Sequence, residues 1–211
     1  MSMRWNFHLR AFTRTKKISE KMIAITFDDG PNKTYTPIVL QLLGKYNAKA
    51  TFFCIGKNVE SNPEILKSAI EKGHQVANHT YSHSNSFGFF NKKRFIEVIE
   101  KTDVLLESFT GKKNHFFRPP FGVTTPTLAK AIKTTGHKVI GWNIRPYDTV
   151  LKNKEKTLKH IIKKVSPGSI ILLHDTHDRI PYVLEHLLQY LQKHKYSCVT
   201  VTELVNNETN A

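Results

Sequence analysis

Met22-Ile23-Ala24-Ile25-Thr26-Phe27-Asp28-Asp29-Gly30 is the stretch from which the fold is read. Six consecutive strand formers, with no alternation of polar residues, predict a strand buried on both faces, as in a parallel sheet. The two aspartates then fall at its carboxyl end, where open α/β sheets and barrels carry their chemistry. Adjacent carboxylates repel, so their pairing calls for a cation or an arginine nearby. Gly30-Pro31-Asn32 turns the chain.

Further strand patterns lie at 49–55, 74–78, 114–118, 137–143, 169–174 and 197–201. Helical patterns separate them. The clearest spans 91–109, with apolar spacing at Phe95, Val98, Ile99, Thr102, Leu105, Leu106 and Phe109. Seven β-α alternations predict parallel strands with right-handed crossovers, hence a barrel or open sheet. The chain has 211 residues, 39% of them hydrophobic, and neither linker nor internal repeat divides it. The expected organisation is a basic N-terminal segment, 1–21, followed by one catalytic domain, 22–205.

His79-Thr80-Tyr81-Ser82-His83 follows another short strand pattern, His74 to Asn78. The two histidines are four apart, so one helical turn would bring both rings to one face. With Asp29 they supply one carboxylate and two imidazoles, a set that suits zinc, cobalt or iron with positions left for water. A metal held by Asp29, His79 and His83 lowers the pKa of a bound water from about 15.7 to about 7. Asp28 is then placed to take that water's proton. Amide cleavage also needs an acid for the leaving amine, and His174, ending the apolar run Gly168 to Leu173, is the natural candidate. His177 and Asp175 follow it closely and are placed to line the cleft. His8, His115, His137, His160, His186 and His194 are read as solvated.

These runs resemble the polysaccharide deacetylases with a NodB-homology domain, carbohydrate esterase family 4. Thr26 to Gly30 is similar to that family's first motif and His79 to His83 to its second. Arg118-Pro119-Pro120-Phe121-Gly122, Trp142 to Thr149 and Leu172-Leu173-His174 follow in the order of the third, fourth and fifth. The likeness extends over about residues 20 to 202. It implies a distorted (β/α) barrel of about seven parallel strands and a metal-dependent hydrolase that removes acetyl groups from N-acetylglucosamine units of a peptidoglycan or chitooligosaccharide type of glycan. An O-acetyl ester hydrolase and a non-catalytic glycan-binding protein are the other readings of the same scaffold. The resemblance also implies that Arg118 orients Asp28, that Asp148 orients His174, that the backbone N–H of Phe121 stabilises the oxyanion, and that Trp142 and Leu172 line an acetyl pocket. The family's fourth motif ends in Asp-Trp; here Tyr147-Asp148-Thr149 keeps the aspartate and lacks the tryptophan, which bears on the aromatic wall of the groove.

Lysine and arginine number 32 against 17 acidic residues, a net charge of +15. The expected partner is an acetylated, anionic wall glycan. A nucleic-acid partner is not expected, because the lysines are spread through helical segments such as 152–164 without an interleaved aromatic platform. Residues 1–21 hold no apolar core of signal-peptide length and no segment is long enough to span a membrane. The literal expectation is a cytoplasmic protein, whereas the resemblance implies the cell envelope. Cys54 and Cys198 fall in strand patterns and are read as buried free thiols.

Overall fold

A computed structural model describes residues 8–15 and 20–209. Its centre is a parallel sheet made of β1 (Ala11–Phe12), β2 (Met22–Asp28), β3 (Ala50–Cys54), β4 (Gln75–Asn78), β5 (Phe116–Phe117), β6 (Lys138–Ile140) and β7 (Ile170–His174), in the order β1-β6-β5-β4-β3-β2-β7. β8 (Ser197–Cys198) pairs with the start of β2. All seven strands expected from the sequence form, and β1 is an addition. The sheet curls until its ends approach. Leu172 N donates to the carbonyl of Ile144, and Ile144 N to that of Ile170, so the chain beyond β6 closes on β7 as a distorted barrel.

Helices α1 (Tyr35–Lys45), α2 (Gly56–Ser61), α3 (Pro63–Glu71), α4 (Lys92–Thr110), α5 (Pro126–Thr135), α6 (Lys154–Ile162), α7 (Ile180–Lys193) and α8 (Val201–Thr209) complete the structure. α4, the clearest helix in the sequence, is capped by the Asn91 side chain and ends at Gly111 in the left-handed conformation.

Strand alternation sorts the core into two layers. Ile23, Ile25 and Phe27 of β2 pack outward with Ile171, Leu173 and the apolar faces of α1, α3 and α7. Ala24, Phe53, Ala77, Ile140, Ile170 and Leu172 point inward, and Val201, Leu204 and Val205 of α8 close one end of this interior. Because side chains alternate, Asp28 shares the inner side with Ala24, and His174 with Ile170 and Leu172. Asp28 and His174 are direct partners in the β2–β7 register. Alternation thus carries two polar residues to one mouth of the barrel.

The stretch 1–21, set apart on composition, is partly built into this body. Leu9 and Ala11 are buried, β1 pairs with β6, and Thr15 N donates to Gly168 O at 2.9 Å. Gly168 is fitted to that contact: its φ is +79°, and a Cβ there would lie 2.1 Å from Thr15 O. Residues 1–7 and 16–19 lie outside the described residues. Both cysteines are free; Cys54 is buried and Cys198 half-buried. His137, read as solvated, is instead enclosed: its side chain is 3% exposed and its Nε2 lies 3.2 Å from Asp103 on α4. Among the described residues no helix is long and apolar enough to cross a membrane.

Candidate active site

Five strand ends deliver the site. Asp28 closes β2, and Asp29 follows with φ +74°, its carbonyl accepting from Asn58 Nδ2 at 2.7 Å. That left-handed turn aims two consecutive carboxylates at one place rather than at opposite faces. Gly30 passes so close to Asp175 that a Cβ would meet its carboxylate at 2.6 Å.

His79 and His83 do meet, but not on a helical turn. The segment is a loop in which Thr80 and His83 adopt φ of +67° and +46°. Thr80 N donates to Asn78 Oδ1 at 2.7 Å and His83 N to Thr80 Oγ1 at 3.3 Å, and these local bonds take the place of helical ones. The ring centroids come to 5.0 Å.

Asp29 Oδ1 lies 3.4 Å from both His79 Nε2 and His83 Nε2. It is buried without a hydrogen-bond partner among the described residues. Ligand bonds of about 2.0–2.1 Å in a tetrahedral site put neighbouring donors roughly 3.3 Å apart, so the spacing fits a divalent cation. The tautomer fits as well. His79 Nδ1 lies 2.7 Å from Arg118 O, an acceptor only, so it carries the proton and neutral His79 turns a bare Nε2 toward Asp29 and toward Asp28 Oδ2 at 3.8 Å. A lone pair facing two carboxylates asks for positive charge between them. Burial disfavours a proton on His79, yet Asp28, Asp29 and the Arg118 carbonyl raise its affinity above the usual histidine value. Burial also opposes ionisation of Asp29, but contact with His79 and the charges of His79, His174 and His83 hold its carboxyl at about 2. His83 is lowered by burial and by His79.

Arg118 leaves β5 and crosses the barrel interior with its side chain wholly buried. Nε donates to Ile140 O at 3.0 Å, Nη2 to Gly141 O at 2.9 Å, and Nη1 to Thr26 Oγ1 at 2.8 Å and Asp28 Oδ1 at 2.6 Å. The guanidinium stacks over Phe53 at 3.9 Å and faces Trp142 at 5.4 Å. One oxygen of Asp28 is thereby committed, and the other faces the Asp29–His79–His83 triangle.

On the far side of the mouth, Asp148 accepts from the backbone N–H of His174 at 2.8 Å and stands 3.1 Å from His174 Nδ1. Burial would raise Asp148, but donation from His174 and His177 holds it well below the usual carboxylate range. Burial likewise works against a charged His174; the bond and charge of Asp148, aided by Asp28 and Asp29, overcome it and lift the imidazole to about 9. Phe121 has φ +58° and sets its ring edge-on to His83 at 4.4 Å. Trp142 and Leu172 are buried in the inner apolar layer beside this mouth.

The structure brings Asp28, Asp29, His79, His83 and Arg118 together, sets Phe121 against His83, pairs His174 with Asp148, and leaves Trp142 and Leu172 in the inner apolar layer. Two contacts escape sequence reading: His177 Nε2 lies 3.3 Å from Asp148, and Asp175, instead of lining the cleft, is fully buried and hydrogen-bonded by Thr36 Oγ1. Burial pushes Asp175 up to about 7 against the bond from Thr36. The closeness of both to His174 in the chain was the available signal.

Known proteins resemble this chain in sequence and in fold. Residues 15–140 match the polysaccharide deacetylase family. The chain is 38% identical over 192 residues to a peptidoglycan-N-acetylglucosamine deacetylase of Bacillus cereus, covering 89% of each. It is 33% identical to the peptidoglycan-N-acetylglucosamine deacetylase PgdA of Listeria monocytogenes over 90% of this chain, and spans only 40% of that longer relative. The solved structure of the peptidoglycan deacetylase PdaC from Bacillus subtilis has a TM-score of 0.85 at 29% identity, with 91% of this chain and 93% of that one covered. A family match over more than half of the chain, a relative alike over nearly its whole length and the same curled sheet agree: this chain belongs to the polysaccharide deacetylases of NodB homology.

Proposed function

We propose that the chain hydrolyses the acetamide of N-acetylglucosamine units in a peptidoglycan or chitooligosaccharide type of glycan, releasing acetate and leaving a free amine. The observation that carries this reading is the Asp29–His79–His83 triangle, set between a carboxylate held by Arg118 and an imidazole held by Asp148. Zinc suits one carboxylate and two imidazoles best, with cobalt as another candidate; when bound, such an ion acidifies water and polarises the acyl oxygen.

The chain's own groups divide the remaining work. Asp28 takes the proton of the attacking water on the oxygen that Arg118 leaves open, while Arg118 keeps the carboxylate ionised and aimed. His174 delivers a proton to the nitrogen as the C–N bond breaks, and Asp148 fixes its Nδ1–H tautomer so that Nε2 faces the cleft. The N–H of Phe121 receives the developing oxyanion. Trp142 and Leu172 exclude water around the acetyl methyl. Phe121 and Tyr147, 46% and 47% exposed, offer apolar surface for sugar rings. Tyr147 thereby supplies an aromatic beside Asp148, where the tryptophan is lacking. A net charge of +15 favours an anionic wall polymer over a neutral one.

The test is acetate release from chitooligosaccharides, peptidoglycan fragments and acetylated xylan, each with and without added zinc or cobalt. Metal-dependent release from the first two is expected. Release from acetylated xylan alone would assign ester chemistry instead, and no release from any of them with metal bound would assign a binding protein.

A further inference from the structure

His177 has no part in the reading above, yet its ring stands against the carboxylate that holds the proposed acid. Asp148 Oδ2 accepts from His174 N at 2.8 Å, lies 3.2 Å from His174 Nδ1 and 3.3 Å from His177 Nε2. The side chain of His177 is 13% exposed, and its other ring nitrogen, Nδ1, is buried with no hydrogen-bond partner among the described residues. Asp148 offers Nε2 an acceptor and nothing else, so the contact is a donation from His177 Nε2–H to the carboxylate. One carboxylate therefore serves two imidazoles.

We infer that His177 is a positioning residue for His174: it fixes Asp148 from the far side and draws on carboxylate charge that His174 would otherwise take alone. The inference rests on the proposed acid role of His174. Without this donor Asp148 becomes the more basic partner, binds the His174 imidazolium more strongly, and makes it a weaker acid toward the leaving amine. The sign is the same whether His177 is neutral or charged, because removing a positive neighbour also favours the imidazolium. The other charged groups around the pair are Asp28 and Asp29 at the end of β2, Asp175 next to His174, and Asp178 and Arg179 before α7. Arg179 Nη2 donates to the main-chain carbonyl of Asp148 at 3.2 Å and its Nη1 to Asp178 at 3.2 Å. Substitution at His177 alters none of these groups.

The experiment is an NMR titration of the His174 imidazole in the wild type, His177→Leu and His177→Gln, alongside steady-state cleavage of an acetamide and an acetyl ester. His177→Leu should move the His174 midpoint upward by about half a unit to one unit. It should lower kcat on the amide roughly three- to ten-fold, with the ester and KM little changed. His177→Gln can place an N–H where Nε2 stands and should restore both. A folded His177→Leu protein with an unmoved midpoint, or a His177→Gln protein that behaves as the leucine variant does, would overturn the inference. If His177→Leu does not fold, His177→Asn, too short to reach Asp148, replaces it with the same two outcomes. The titration reads His174 without turnover, so it decides on His177 even in a chain that cleaved no acetyl group, and failure of the two readings stays distinguishable.

Discussion

Asp148→Asn should shift the pH range of amide hydrolysis and do so in a direction fixed by the surroundings of His174. The imidazole is lifted from 6.5 to about 9 although burial alone would lower it, and its side chain is only 17% exposed. A lift of that size corresponds to about 3 kcal/mol of preference for the charged form. Asparagine keeps the shape and an acceptor oxygen but removes the charge, so burial would act against the imidazolium with only Asp28 and Asp29 in its favour. The midpoint should fall to about 6.5 or below. Activity that needs the acid form is lost as pH rises through this midpoint; the alkaline limb of kcat therefore moves from near 9 toward neutrality. At pH 8 about nine-tenths of the wild-type His174 would be protonated, against a few per cent in the variant, a loss of about 30-fold on an acetamide. An activated acetyl ester, whose alcohol leaves more readily, should lose much less. The assay is kcat against pH for both substrates at fixed metal loading. An alkaline limb that stays near 9 in a folded, metal-loaded Asp148→Asn protein would refute the coupling of the two groups, and equal losses on ester and amide would remove His174 from the acid role.

Asp28→Asn should retain metal, measured by elemental analysis of the dialysed protein, and lose about 10²–10⁴-fold in turnover, since the triangle is untouched while the proposed base is gone. Asp29→Ala, His79→Ala and His83→Ala should each bind metal markedly more weakly in a calorimetric titration, in line with removal of one of three protein ligands. Arg118→Met should destabilise the fold by about 3–5 kcal/mol in denaturant titration, because it strands a buried Asp28 together with the carbonyls of Ile140 and Gly141. Gly168→Ala should lower the melting temperature, as the new Cβ would collide with Thr15 O in a backbone conformation that alanine rarely adopts.

The barrel was legible because its determinants are local. The run Met22 to Phe27 states a buried strand by composition, and the period-two rule alone sends Asp28 inward to meet His174 across one register step. The histidine pair was legible as a pair but not in its backbone. A spacing of four is satisfied by a helical turn, and it is satisfied equally by a loop in which Asn78 and Thr80 bond the main chain and two residues take positive φ. The sequence holds no signal that decides between them, since both polar side chains are equally at home in a turn. Partners at long range were less legible still. Asp148 and His177 are 29 residues apart and meet only because the chain beyond β6 closes on β7. His137 was misread for a similar reason: a polar neighbourhood in sequence gave no sign of Asp103 on the helix packed above it. β1, at two residues, is too short to show any period, and the basic residues around it hid the burial of Leu9 and Ala11.

Four carboxylates crowd this mouth, and their surroundings rather than their identity separate what each can do. Asp29 stays ionised to about pH 2 and holds an oxygen equidistant from two imidazole nitrogens, so it can ligate but has no reason to accept a proton near neutrality. Asp148 is buried and takes N–H donors from His174 and His177, which makes it a fixed counter-charge. Asp175, lifted to about 7, has a titration range suited to proton transfer, but it is fully buried, packed against Gly30 and bonded to Thr36, and so has no path to substrate. Asp28 alone combines a committed oxygen, anchored by Arg118, with one directed at the Asp29–His79–His83 triangle. On the proposed mechanism the base is therefore chosen by access and anchoring together; titration range by itself would have picked Asp175, which is fully buried.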